Sequence, residues 1–219
     1  MGLAAFGAAA FILLAILKLA SEVAEGETTA FDVAVLRLMR NAARPGTPLT
    51  SLMLGATHLG DGLTLIILVL LIAGFLFTAR KHGMALFLIV ATTAGSLMVQ
   101  LLKRIIDRAR PAVVEHWTSF ADASFPSGHA ANSAIIYLTL AVLVAQSVTS
   151  RALRLYVVVS AMLLTFLIGL SRPYLGVHWP TDVLSGWILG AGWAVLCSSV
   201  AWWLQARRTI EPPTETSGT

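Results

Sequence analysis

Long uncharged runs alternate along this chain with short polar links. Five of them, residues 62–79, 83–102, 130–150, 155–171 and 183–206, come near the roughly 20 apolar residues that a helix needs to cross a bilayer. Backbone groups in lipid must be paired within the segment, so each run is expected to be a helix. A sixth run, 2–20 (GLAAFGAAAFILLAILKLA), ends near Lys18, whose stem can reach back to the headgroups. A signal peptide is the alternative reading of that run. No Lys or Arg precedes the apolar stretch and no small-x-small cleavage site follows Lys18, which favours a retained span.

Between residues 21 and 61 the chain is more polar. Phe31, Val35, Leu38 and Ala42 recur there at helical spacing, with Asp32, Arg37, Arg40 and Arg44 pointing elsewhere, the pattern of a short amphipathic helix lying at the interface. The stretch RPGTP, 44–48, ends it. After Arg208 the segment TIEPPTETSGT is rich in Pro and Thr and is expected to be disordered over 209–219. The expected fold is therefore all-α: a polytopic six-helix transmembrane bundle with a short interfacial helix after the first span, forming one domain over 1–208.

Composition agrees. Of 219 residues 57% are hydrophobic and 12% charged, where a soluble domain carries about 25% charged residues. The mean hydropathy is +0.81. The single cysteine, Cys197, lies in an apolar run and reads as a small core residue. A net charge of +4 is modest, and no basic stripe with interleaved aromatics suggests nucleic acid. Six spans would put both termini on one side, with Arg80, Lys81, Arg151, Arg154, Arg207 and Arg208; the other nine Lys and Arg fall on the opposite side among nine acids. Cation counting favours the second side as the inner one, while the short, purely basic links favour the first, so charge leaves the orientation open.

Three polar clusters share the second side. In KRIIDRARP, Lys103 and Arg110 are two helical turns apart and can share a face if the helix of run 83–102 continues outward, and Arg172 adds a cation from another link. Converging cations at a membrane surface suit a phosphate-bearing ligand, although a single Arg at a span end, as Arg104 and Arg108 are taken to be, is more often a headgroup anchor. In PSGH, Ser127 and Gly128 stand where a helix begins, and free N–H groups there favour an anion; the bland role of Ser127 is a helix cap. His129 follows in the first turn. In SRPYLGVHWPTD, Pro180 suits a helix start and Asp182 falls in its first turn, near His178. A carboxylate holding one ring nitrogen protonated leaves the other as a nucleophile, which makes His178 the better nucleophile and His129 the better acid. Alone, Asp182 would read as a charge complementing the helix dipole.

Lys-x6-Arg-Pro, Pro-Ser-Gly-His and Ser-Arg-x5-His-x3-Asp, taken in order, resemble the three-part signature of the type-2 phosphatidic acid phosphatases, integral membrane lipid phosphatases that share a core with vanadium haloperoxidases. All eleven fixed residues are present, over a stretch from about Asp61 to Leu204. The resemblance implies that His178 attacks phosphorus to form a phosphohistidine, Asp182 orients it, and His129 protonates the leaving group. It implies that Lys103, Arg110, Ser127, Gly128 and Arg172 hold the phosphoryl oxygens. It further implies no metal and no cofactor, termini in the cytoplasm, and a site facing the periplasm or exterior of a bacterial inner membrane. GLSRPYLGVHWPTDVLSGW looks like the bacterial branch, which favours undecaprenyl pyrophosphate as substrate, with phosphatidylglycerophosphate or phosphatidic acid as runner-up. A phosphotransferase using the same site and a non-enzymatic lipid-binding protein are the competing functions. His58, His82 and His116 are taken as interfacial residues, His116 with some chance of meeting substrate.

Overall fold

Helix is the only regular structure among the residues that the computed structural model describes, 14–118 and 122–211. After a helical stretch at 14–24, the helices are α1 (Thr29–Ala42), α2 (Pro48–Leu59), α3 (Gly62–Thr78), α4 (His82–Ile106), α5 (Gly128–Gln146), α6 (Arg151–Tyr174) and α7 (Pro180–Ala206). Their ends follow from capping chemistry. The Thr47 hydroxyl accepts the Thr50 N–H at 3.3 Å ahead of Pro48, Ser150 accepts from Leu153 at 3.4 Å, and Asp107 closes α4 with a left-handed φ of 44°. Pro180 opens α7, and the Asp182 carboxylate accepts the Trp179 N–H at 2.9 Å.

Glycines on α7 set the centre of the bundle. A Cβ on Gly190 would lie 2.4 Å from the Ala134 Cβ and 2.6 Å from the Ala131 carbonyl; one on Gly186 would lie 2.9 Å from the Ser127 carbonyl. Only a missing side chain lets α5 and α7 approach this closely. Around that contact Leu65, Val69, Leu88, Val99, Ile135 and Leu189 form the main apolar cluster. Leu71, Phe75, Leu97, Leu155 and Met162 point outward and stay exposed, as side chains facing lipid do.

Four helices, α4 to α7, are long and apolar enough to cross a membrane, and a fifth span exists if α2 and α3, bent by 54°, are counted as one. Six were expected. The run 62–79 is α3, which at 17 residues reaches span length only together with α2. Of the run 2–20, residues 1–13 lie outside the described part of the chain. A helix does occupy 29–42, but the side chains it buries are Asp32 and Leu36, while Phe31 and Leu38 are 56% and 70% exposed. Of the residues read as polar, Asp32 packs inward while Arg37 stays exposed. At the far end, Ile210 is buried with Met84 and Ala201, and the Glu211 carboxylate accepts the N–H groups of Gly83 and Met84 at 3.1 and 3.0 Å. The start of α4 has no intrahelical partners for these donors, so an acceptor settles there. Residues 212–219 of the expected disordered tail lie outside the described residues.

Candidate active site

The three clusters meet where α4, α5, α6 and α7 end on one side. The link from α6 to α7 folds inward because Leu175 and Val177 join Met53 and Tyr174 in an apolar cluster, and this carries His178 into the interior, 2% exposed. The Ser127 N–H donates to the Asp182 carbonyl at 2.9 Å, which ties the beginnings of α5 and α7 together.

His178 lies between a cation and a carboxylate. Arg110 Nη1 stands 3.1 Å from Nε2, and since a guanidinium only donates, Nε2 accepts and the ring proton is on Nδ1. Nδ1 faces Asp182 Oδ2 at 3.4 Å and Ser124 Oγ at 3.4 Å. Burial pushes the pKa of His178 down to about 3, against the pull of the Asp182 carboxylate, so the imidazole is neutral near pH 7. A neutral ring whose Nδ1–H is held by a carboxylate keeps its Nε2 lone pair for attack.

Asp182 is held in turn. It accepts from Trp179 N–H, from Ser124 Oγ and, at 2.6 Å, from Arg108 Nη1. Arg108 was expected to anchor headgroups. Instead its other nitrogen, Nη2, donates at 2.7 Å to Asp32, which is fully buried and also takes the Thr181 N–H at 3.0 Å and hydroxyl at 2.6 Å. A span-end Arg that finds two buried carboxylates gains far more than one facing water, which is why it turns inward.

Lys103 stands in the last turn of α4 and Arg110 beyond its end at Ile106, so they share no helical face; a residue that no motif marks joins them instead. Asp122 bridges them, its Oδ2 at 3.0 Å from Lys103 Nζ and its Oδ1 at 2.5 Å from Arg110 Nη2. Burial would raise the pKa of Asp122, but the hydrogen bonds and charges of Lys103 and then Arg110 outweigh it and hold it at about 2. A carboxylate thus sits where two cations meet, as one edge of a phosphate would. Gly128 lies beside Lys103, whose Cε would be in ordinary contact, at 3.5 Å, with a Cβ there. Ser127 is buried and caps α5 through Ala130 N–H, at 3.5 Å. Arg172 is fully buried in the last turn of α6 and donates to Thr57 Oγ1 on α2. His129, in the first turn of α5, bonds Asp61 Oδ1 through Nε2 at 2.9 Å. The charges of Arg110 and Arg172 act on both imidazoles.

Sequence reading did not find Asp32, Asp61, Asp122 or Ser124. Asp61 carried the one available signal, as the last polar residue before an apolar run. His116 turns to the Pro111 carbonyl, and Tyr174 bonds Thr50 Oγ1 at 2.8 Å. Beside Asp61, a groove of about 380 Å³ runs between α3, α4 and α5, lined by Gly62, Leu65, Val69, Ser96, Gln100 and Asn132 among others.

Residues 83–206 match the family model of the PAP2 superfamily. Phosphatidylglycerophosphatase B of Bacillus subtilis (strain 168) is 36% identical over 146 residues, covering 65% of this chain and 70% of that protein. The undecaprenyl-diphosphatase of Sulfolobus acidocaldarius is 28% identical over 117 residues, 51% of this chain and 52% of that protein. The crystal structure of a transmembrane PAP2-type phosphatidylglycerolphosphate phosphatase from Bacillus subtilis superposes with a TM-score of 0.80 at 28% identity, covering 90% of this chain and 96% of that one.

Proposed function

The chain belongs to the PAP2 superfamily, and from that premise we propose that it removes the phosphate of a membrane lipid through a phosphohistidine on His178. As a member of that family it is a multi-pass membrane phosphatase. The observation that carries the mechanism is the orientation of His178, with Nδ1 toward Asp182 and Nε2 beside Arg110. In the first step Nε2 attacks phosphorus and the bond to the lipid oxygen breaks, with His129 giving that oxygen a proton. Lys103, Arg110 and Arg172, with the Ser127 hydroxyl and the Gly128 N–H, hold the phosphoryl oxygens as charge builds on them. Asp122 gives way to the incoming phosphate. In the second step water attacks phosphorus, His129 takes its proton, and the bond to Nε2 breaks to release orthophosphate. The lipid chains lie in the groove beside Gly62.

Phosphatidylglycerophosphate heads the substrate order, supported by the 36% identical relative and the structural likeness. Undecaprenyl pyrophosphate, favoured from sequence, stands second, supported by the 28% identical relative. The test is phosphate release by the purified protein in detergent with a chelator, offering each lipid in turn. Release without added metal is expected, with phosphatidylglycerophosphate turned over fastest. His178→Ala should lower kcat by at least about a thousandfold, as loss of a nucleophile does. Release that persists in His178→Ala would end the phosphohistidine reading.

A further inference from the structure

The bend between α2 and α3 is fastened to α5 by three consecutive residues. The Leu59 carbonyl accepts the Tyr137 hydroxyl at 2.8 Å. Gly60 lies against the His129 ring, so that a Cβ there would come within 3.1 Å of Cδ2, and within 2.4 Å of Ile168 Cγ2 on the other side. Asp61 then bonds His129 Nε2 through Oδ1 and His58 Nδ1 through Oδ2, both at 2.9 Å. Asp61 occupies the N-cap position of α3, where an aspartate ordinarily accepts an N–H of its own helix, yet its side chain makes no capping bond. Both oxygens are committed to imidazoles instead. All three residues lie outside the stretch 83–206 that matches the family.

We infer that Asp61 is the positioning residue of the proton donor, holding His129 by its Nε2–H so that Nδ1 is the nitrogen that serves the substrate. The inference rests on the two-histidine reading above. An imidazolium bonded at Nε2 to a carboxylate has one other N–H, at Nδ1. When Nε2 of His178 bonds to phosphorus and the lipid oxygen departs with the bonding pair, the Nδ1 proton passes to that oxygen. His129 is left neutral and still held by Asp61. In the second step Nδ1 takes the proton of the attacking water, which returns the ring to its starting state. Gly60 supplies the space in which the ring is held, and the Tyr137 bond keeps the bend in register with α5.

This role is separable from mere support of the bend, because a proton is needed only by a poor leaving group. The experiment measures single-turnover loading of phosphate onto His178 from dihexanoyl phosphatidic acid, whose alkoxide must be protonated, and from p-nitrophenyl phosphate, whose phenolate need not be. Asp61→Asn is expected to slow loading from the alkyl substrate at least about tenfold while changing the aryl rate by less than about threefold, since general-acid assistance is what the first loses. Asp61→Glu should restore part of the loss, and Asp61→Ser, which supplies a helix cap but no anion, should behave like Asp61→Asn. Equal slowing with both substrates, or an unchanged alkyl rate, would overturn the inference and leave the phosphohistidine reading intact. Failure of the wild type to load His178 at all would overturn both.

Discussion

His178 shows how one buried ring is specified by its neighbours. Its charge state follows from burial, and its tautomer follows from a guanidinium on one side and a carboxylate on the other. A consequence for stability can be measured. The ordinary histidine value is 6.5 and the folded value about 3, so between the two the unfolded chain takes up a proton that the folded chain refuses. Stability from this group is complete above about pH 6.5 and is lost as pH falls toward 3. Melting curves in detergent should therefore show a smaller drop between neutral and acidic pH for His178→Asn than for the wild type; an equal drop would contradict the buried neutral ring. The residues with fixed spacing were legible in the sequence because chemistry ties each to its neighbours in its own cluster. Asp32, Asp61 and Asp122 were not, because each acts on a partner far along the chain and no local pattern records such a pairing.

Among the elements, α5 and α7 matter most, since each begins with residues of the proposed site and they touch through glycine. That contact can be tested with a pair of substitutions. Gly190→Ala sets a methyl against the Ala131 carbonyl and is expected to cost about 1–3 kcal/mol, the usual penalty of overpacking. Gly74→Ala, on an open face of α3 with nothing within 4 Å, should be neutral or stabilising, because alanine favours helix. Thermal melting checks both, and similar behaviour of the two variants would deny the close contact. Helices with long apolar runs were readable in advance. The helical spacing of α1 was readable too, but not the burial of Asp32 in its first turn beside Leu36 while Phe31 and Leu38 stay exposed. Hydrophobic spacing assumes an apolar core, and beneath this helix the interior is an ion-pair network.

For the molecule as a whole, the sequence pointed to helices throughout, and the described residues bear that out. The count of spans was less accessible, because the bend at Gly60 and Asp61 divides one candidate into two pieces, and only the second, the run 62–79, announces itself as a span. Orientation has a direct test. If the end that carries His178 faces the exterior, as the family resemblance implies, a cysteine in place of Glu115 should react with a membrane-impermeant maleimide on intact cells and one in place of Arg151 should not, in a Cys197→Ser background. The reverse pattern would turn the protein over in the membrane.

The Glu211 carboxylate touches the first residues of the helix whose other end carries Lys103. An affinity handle or fluorescent fusion joined directly behind Glu211 would pull on that attachment. A long flexible spacer, or a handle in another loop, is the sounder choice for purifying an active sample.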